Sequence, residues 1–95
     1  MEAHVLIVDD DAAIRESMNE FVDMSGYQSS TAASAEEALE RLSQNEIDVV
    51  ITDIMLPGMD GLELTDRIKK EYEIDVIVMT GYSGDYSYEE AISKG

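Results

Sequence analysis

Three aspartates and a threonine, each set just behind an apolar run, are the residues of this 95-residue sequence best placed to do chemistry. Asp9 and Asp10 follow Val5-Leu6-Ile7-Val8, Asp53 follows Val49-Val50-Ile51-Thr52, and Thr80 follows Val76-Ile77-Val78-Met79. Short apolar runs of this kind suit strands buried on both faces. A polar residue at the carboxyl end of such a strand is positioned to meet a ligand in a parallel α/β sheet. The alternative for Asp53 is a turn or helix N-terminal aspartate. For Asp9-Asp10-Asp11, at a strand-to-helix junction, the alternative is capping and dipole compensation. Asp11, nearest the helix start, is assigned to the cap, and Asp9 and Asp10 to a metal site with Asp53 across the rim.

Carboxylates packed within a few ångströms repel each other unless a cation sits between them. Mg²⁺ fits best, because it takes oxygen ligands and keeps several of its waters. An aspartate beside Mg²⁺ with a hydroxyl nearby suits attack of a carboxylate on phosphorus to give an aspartyl phosphate. Such a reaction relies on positioning and electrostatics, and the Thr80 hydroxyl would donate a hydrogen bond to a phosphoryl oxygen. The aspartates do not follow the alternating spacing of a calcium EF-hand, and no P-loop or GxGxxG occurs. His4, the sole histidine, precedes a strand and reads as a surface residue.

The elements that must position these groups alternate along the chain. After the first strand, Ile14, Met18, Phe21 and Val22 share one helical face from Ala12, and Gly26 is a natural left-handed stop. Tyr27 to Ala32 forms a short polar strand, as at a sheet edge. Ser34-Ala35-Glu36-Glu37 is a capping box, with the Glu37 carboxylate reaching back to the Ser34 N–H. The helix it starts buries Ala35, Ala38, Leu39 and Leu42. The central strand runs from about Asp48 to Thr52; Pro57-Gly58 and Asp60-Gly61 are turn formers, and a helix from Leu62 carries Leu64, Ile68 and Tyr72 in register. The strand from Val76 to Met79 leads into a polar, tyrosine-rich loop, Tyr82 to Tyr88. A last helix, with Ala91 and Ile92 inside, closes the sequence. Helical crossovers impose parallel pairing and right-handed connections. The result is a three-layer α/β sandwich with every strand's carboxyl end on one edge.

Composition narrows the function classes. With 44% hydrophobic residues and one proline, the chain is one folded domain spanning 1–95. Twenty-two acidic against six basic residues give a formal net charge of −16, which opposes direct binding to nucleic acid and offers no basic patch to a membrane. The absence of cysteine excludes disulfides and thiolate metal sites. No apolar run is long enough for a signal peptide or membrane helix, so a soluble cytoplasmic protein is expected.

Three segments, Leu6 to Asp11, Thr52 to Gly61 and Val78 to Gly81, together resemble the receiver domain of two-component response regulators, and the similarity spans the whole chain. The resemblance implies a flavodoxin-like fold with a parallel sheet of order 2-1-3-4. It makes Asp53 the phosphoacceptor, Asp9 and Asp10 the acid pair holding Mg²⁺, and the backbone carbonyl of Met55 a further ligand. Thr80 becomes the switch hydroxyl. A histidine kinase is the implied phosphoryl donor and an output domain or protein the implied reader, so the module is a regulator more than an enzyme. The family's fifth strand, its switch aromatic, its Lys-Pro pair and its fifth helix have no counterpart before Gly95. Lys69, Lys70 and Lys94 lie at helix ends away from the acid rim and do not replace that lysine. The chain is therefore expected to end after its fourth helix, to expose the fourth strand as an edge that favours self-association, to leave one flank of the first helix uncovered, and to signal poorly even where Mg²⁺ binds.

Two other function classes compete. A receiver-like scaffold acting through protein interaction or self-association, without phosphate, is favoured by the short C-terminus and opposed by the intact Asp9, Asp10, Asp53 and Thr80. A flavodoxin-like cofactor binder fails because the carboxylates would oppose a flavin phosphate.

Overall fold

The computed structural model describes residues 3–79. Its elements are β1 (His4–Val8), α1 (Ala12–Met24), β2 (Gln28–Ala32), α2 (Ala35–Gln44), β3 (Val49–Asp53), α3 (Gly61–Glu71) and β4 (Asp75–Met79). Thr80, the Tyr82 to Tyr88 loop and the last expected helix lie outside the described residues.

The four strands pair in parallel in the order β2-β1-β3-β4. Register runs straight across the sheet: Val8 pairs with both Ala32 and Thr52, and Thr52 pairs in turn with Val78. Alternation along each strand then sends two sets of side chains to opposite faces. Leu6, Val8, Val50 and Val76 face α2 and α3, where Ala35, Ala38, Leu42, Leu64 and Ile68 complete the larger core. Val5 and Ile7 face α1, where Val22 is buried and Met18, Val49 and Ile51 pack around it. This is the expected three-layer, flavodoxin-like arrangement.

Coverage of the two faces is unequal. Helix α1 packs on β1 and β2, and Val22 is the buried residue of that helix. Ile14 and Phe21, expected on the buried face, are 44% and 72% exposed. At 100° per residue both fall on one flank of the Met18–Val22 stripe, and a helix lying over two strands buries little more than that stripe. The strands expected to be buried on both faces show the same asymmetry. In β3, Val50 and Thr52 are buried while Val49 and Ile51 are half-buried. In β4, an edge strand among the described residues, Val76 is buried but Ile77 is 53% exposed.

Local signals act largely as expected, with two corrections. The Ser34 hydroxyl accepts from the Glu37 N–H at 3.1 Å, but the Glu37 carboxylate reaches past Ser34 to the Ala33 N–H at 3.0 Å. Its second oxygen pairs with Arg41 at 3.1 Å, one turn on, which sets the side chain's direction. Replacing Ser34 with alanine is expected to cost about 1 kcal/mol by removing this cap, read as a melting point lower by roughly 4–8 °C. His4 is the first residue of β1 and is half-buried, with Nε2 2.6 Å from the Ser30 Oγ of β2. It is therefore part of the β1–β2 seam, at the opposite end of the strands from Asp9, Asp10 and Asp53, and not a free surface histidine.

Candidate functional site

Asp9 leaves the end of β1 and is held at three points. Its N–H donates to the Ala32 carbonyl of β2 at 3.1 Å, its Oδ1 accepts from the Asp11 N–H at 2.9 Å, and its carbonyl accepts from the Arg15 guanidinium at 2.8 Å. The residue is only 2% exposed. Asp10, next in the chain, is exposed. Asp11 caps α1 as expected: its Oδ1 accepts from the Ala13 and Ile14 N–H groups at 2.9 and 3.3 Å. The three consecutive aspartates thus divide between a buried carboxylate, an exposed one and a helix cap.

Asp53 is the last residue of β3, and its Oδ1 accepts from the Met55 N–H at 3.2 Å. The segment after it is fixed from beneath by Ile54 and Leu56, both buried, and by the Gly61 N–H, which donates to the Ile54 carbonyl at 2.9 Å. Asp60 then caps α3 through the Glu63 N–H at 2.8 Å. Gly61 opens that helix one residue earlier than the sequence pattern indicates. A Cβ on Gly61 would stand 2.1 Å from the Asp53 carbonyl oxygen, so no other residue fits without moving backbone.

Parallel pairing brings these strand ends together. One carboxylate oxygen from each of Asp9, Asp10 and Asp53 lies within 4.8 Å of the other two, the one such group of potential ligands among the described residues. Burial raises the Asp53 carboxyl above its ordinary value; the charges of Asp9 and Asp10 add to the rise, and hydrogen bonds from the Met55 and Ile54 backbone oppose it. Relative to a free chain the ionised form of Asp53 is therefore disfavoured, chiefly by loss of water on burial and further by the two neighbouring carboxylates. An all-oxygen, all-anionic donor set on a partly open rim suits a hard divalent cation and not zinc or copper.

Of the residues singled out from sequence, Asp9, Asp10 and Asp53 converge. Met55 is adjacent and engages Asp53 through its N–H; Thr80 follows Met79, the partner of Asp53 in the sheet, and is itself outside the described residues. Two residues escaped sequence reasoning. Arg15 grips a backbone carbonyl, which carries no side-chain signature, although a lone arginine one turn beyond a cap is a faint signal. Gly61 reads as a turn former, and its close approach to Asp53 has no sequence mark.

The comparisons with known proteins agree with this geometry. A family model described as the response regulator receiver domain matches residues 5–95. The heme response regulator HssR of Staphylococcus haemolyticus is 37% identical over 90 residues, covering 95% of this chain and 40% of that protein. Sporulation initiation phosphotransferase F of Bacillus subtilis is 41% identical over 83 residues, covering 86% of this chain and 67% of that protein. The structure of the chemotaxis response regulator CheY4 of Vibrio cholerae superposes with a TM-score of 0.85 at 28% identity, over 100% of this chain and 82% of that one. The chain thus spans well under half the length of HssR and about two thirds of the sporulation protein.

Proposed function

Because this chain belongs to the response regulator receiver domain family, we propose that it accepts a phosphoryl group on Asp53 from a phosphohistidine of a histidine kinase. The observation that supports this most is the convergence of the Asp9, Asp10 and Asp53 oxygens within 4.8 Å of one another. In the proposed step an Asp53 carboxylate oxygen attacks phosphorus. A P–O bond forms, the P–N bond breaks, and the electron pair leaves with the kinase imidazole, which takes up a proton. The raised proton affinity of Asp53 makes its carboxylate, once ionised, a better nucleophile.

Asp9, Asp10 and Asp53 are the residues that would hold Mg²⁺, with the Met55 carbonyl as a further ligand. When bound, the cation would neutralise charge on the phosphoryl oxygens. Asp9 contributes a carboxylate already fixed by the Asp11 N–H. Asp10, exposed, is free to adjust to the ligand. Thr80 is the proposed hydroxyl partner of the phosphoryl group and the switch that passes its arrival to the residues beyond. The module is proposed to act as a cytoplasmic regulator, not as an enzyme in its own right, with an output domain or protein as reader.

The test is a Mg²⁺ titration with and without beryllofluoride, followed by amide shifts at Asp53 and Met55, alongside Asp53→Ala. Shifts that need both the cation and Asp53 are expected; amides that stay still, or that move equally in the variant, would sink the reading. The exposure of Ile77 on β4 favours a second reading, in which the chain works by self-association through that strand. Sedimentation separates the two: a monomer that binds beryllofluoride supports the first alone.

A further inference from the structure

Asp9 is almost fully buried, yet it must present a carboxylate to the rim in one orientation. Its N–H and its side chain are fixed by backbone groups, the Ala32 carbonyl and the Asp11 N–H. Its own carbonyl is fixed by the Arg15 Nη1, 2.8 Å away. Arg15 stands on the first turn of α1, its N–H donating to the Asp11 carbonyl at 2.9 Å. The side chain therefore reaches back across the turn that carries all three aspartates and ties α1 to the end of β1. We infer that Arg15 is a positioning residue for the cation site, a latch that fixes the Asp9 peptide and through it the Asp9 carboxylate. The inference rests on the reading of Asp9, Asp10 and Asp53 as a cation site.

Position and charge make opposite predictions here. As a nearby positive charge, Arg15 opposes entry of a cation, so neutralising it would strengthen Mg²⁺ binding. As a latch, Arg15 pre-organises a ligand, so removing it would weaken binding, and losing a group that orients a metal ligand typically weakens affinity by about tenfold or more. The contact is one donor to one carbonyl, which a lysine ammonium can also make.

The experiment compares wild type with R15Q and R15K. It reads Mg²⁺ affinity from amide shifts and, without Mg²⁺, the Asp11 amide shift and hydrogen exchange, since that N–H bonds to the Asp9 carboxylate. Expected are about tenfold weaker Mg²⁺ binding in R15Q, a displaced and less protected Asp11 amide in the same variant, and recovery of most of both in R15K. Unchanged or tighter binding in R15Q would overturn the inference, as would an R15K that behaves like R15Q. Should R15Q fail to fold, R15K decides alone: binding within about threefold of wild type upholds the latch, and a tenfold loss overturns it. A wild-type chain that binds no Mg²⁺ would remove the cation reading and leave the Asp11 amide to decide whether Arg15 holds Asp9.

Discussion

Gly61→Ala is expected to lower the melting temperature by more than about 10 °C, equivalent to roughly 3 kcal/mol in a domain this small. The added Cβ would lie 2.1 Å from the Asp53 carbonyl oxygen and 2.9 Å from both the Asp53 carbonyl carbon and the Ile54 Cα. All three are backbone atoms, so no side chain can rotate away. Alanine is the better helix former by up to about 1 kcal/mol, and at the first position of α3 that preference alone would stabilise the variant. The clash wins because relief requires the end of β3 and the start of α3 to part. That separation would stretch the Gly61 N–H bond to the Ile54 carbonyl and shift Asp53 itself. Thermal unfolding followed by circular dichroism gives the answer, and a variant melting at or above wild type would refute the argument. Gly58→Ala is a useful contrast. Its φ is +76° and a Cβ there would meet, among the described residues, only the Glu36 Oε2, at 3.6 Å, so the cost is the left-handed strain of about 1–2 kcal/mol.

The acidic rim was readable in the sequence because its cause is topological. Parallel strands joined by helices must put their carboxyl ends on one edge, so Asp9, Asp10 and Asp53, each just behind an apolar run, had to come close. The caps were readable too, since Ser34 and Asp11 act on backbone groups a fixed number of residues away. Coverage was readable only in part: an uncovered flank on the first helix was expected, but the period of Ile14, Met18, Phe21 and Val22 does not say which residues overhang, and these are Ile14 and Phe21. The open position of β4 was expected, but which of its side chains stays exposed, Ile77, was not. The least legible contacts end on main-chain atoms: Arg15 on the Asp9 carbonyl and Gly61 against the Asp53 carbonyl. A carbonyl is present at every position, so only the folded geometry selects one.

Asp53→Asn is expected to stabilise the protein at neutral pH without divalent cations, and to make it the less stable of the pair once Mg²⁺ is added. Burial, then the charges of Asp9 and Asp10, raise the Asp53 carboxyl above its value of 3.8 in a free chain. A raised carboxyl means that the folded state holds its proton more tightly than the unfolded one. The stability it contributes is present in full below the unfolded value and is lost as pH rises through the folded value. Above the unfolded value the group therefore works against the fold. Asparagine keeps an oxygen to accept from the Met55 N–H and removes the charge, so its advantage should vanish as pH falls through the acidic range. Binding of Mg²⁺ to the folded wild type adds stability as the logarithm of one plus the ratio of free cation to its dissociation constant, about 2.7 kcal/mol at a ratio of about a hundred. The variant, lacking one of three carboxylates, gains far less, and the order of melting points inverts. A control is needed because the chain carries a net charge of −16, so any acid removed relieves some general repulsion. Glu20→Gln, at an exposed position on α1, changes net charge equally and should show neither the large apo gain nor the inversion. If Glu20→Gln matched Asp53→Asn in both, the strain would belong to the whole acidic surface and not to the rim. If Asp53→Asn were less stable than wild type without Mg²⁺, the crowding of the three carboxylates would not be a cost to the fold, and the electrostatic case for a resident cation would fall with it.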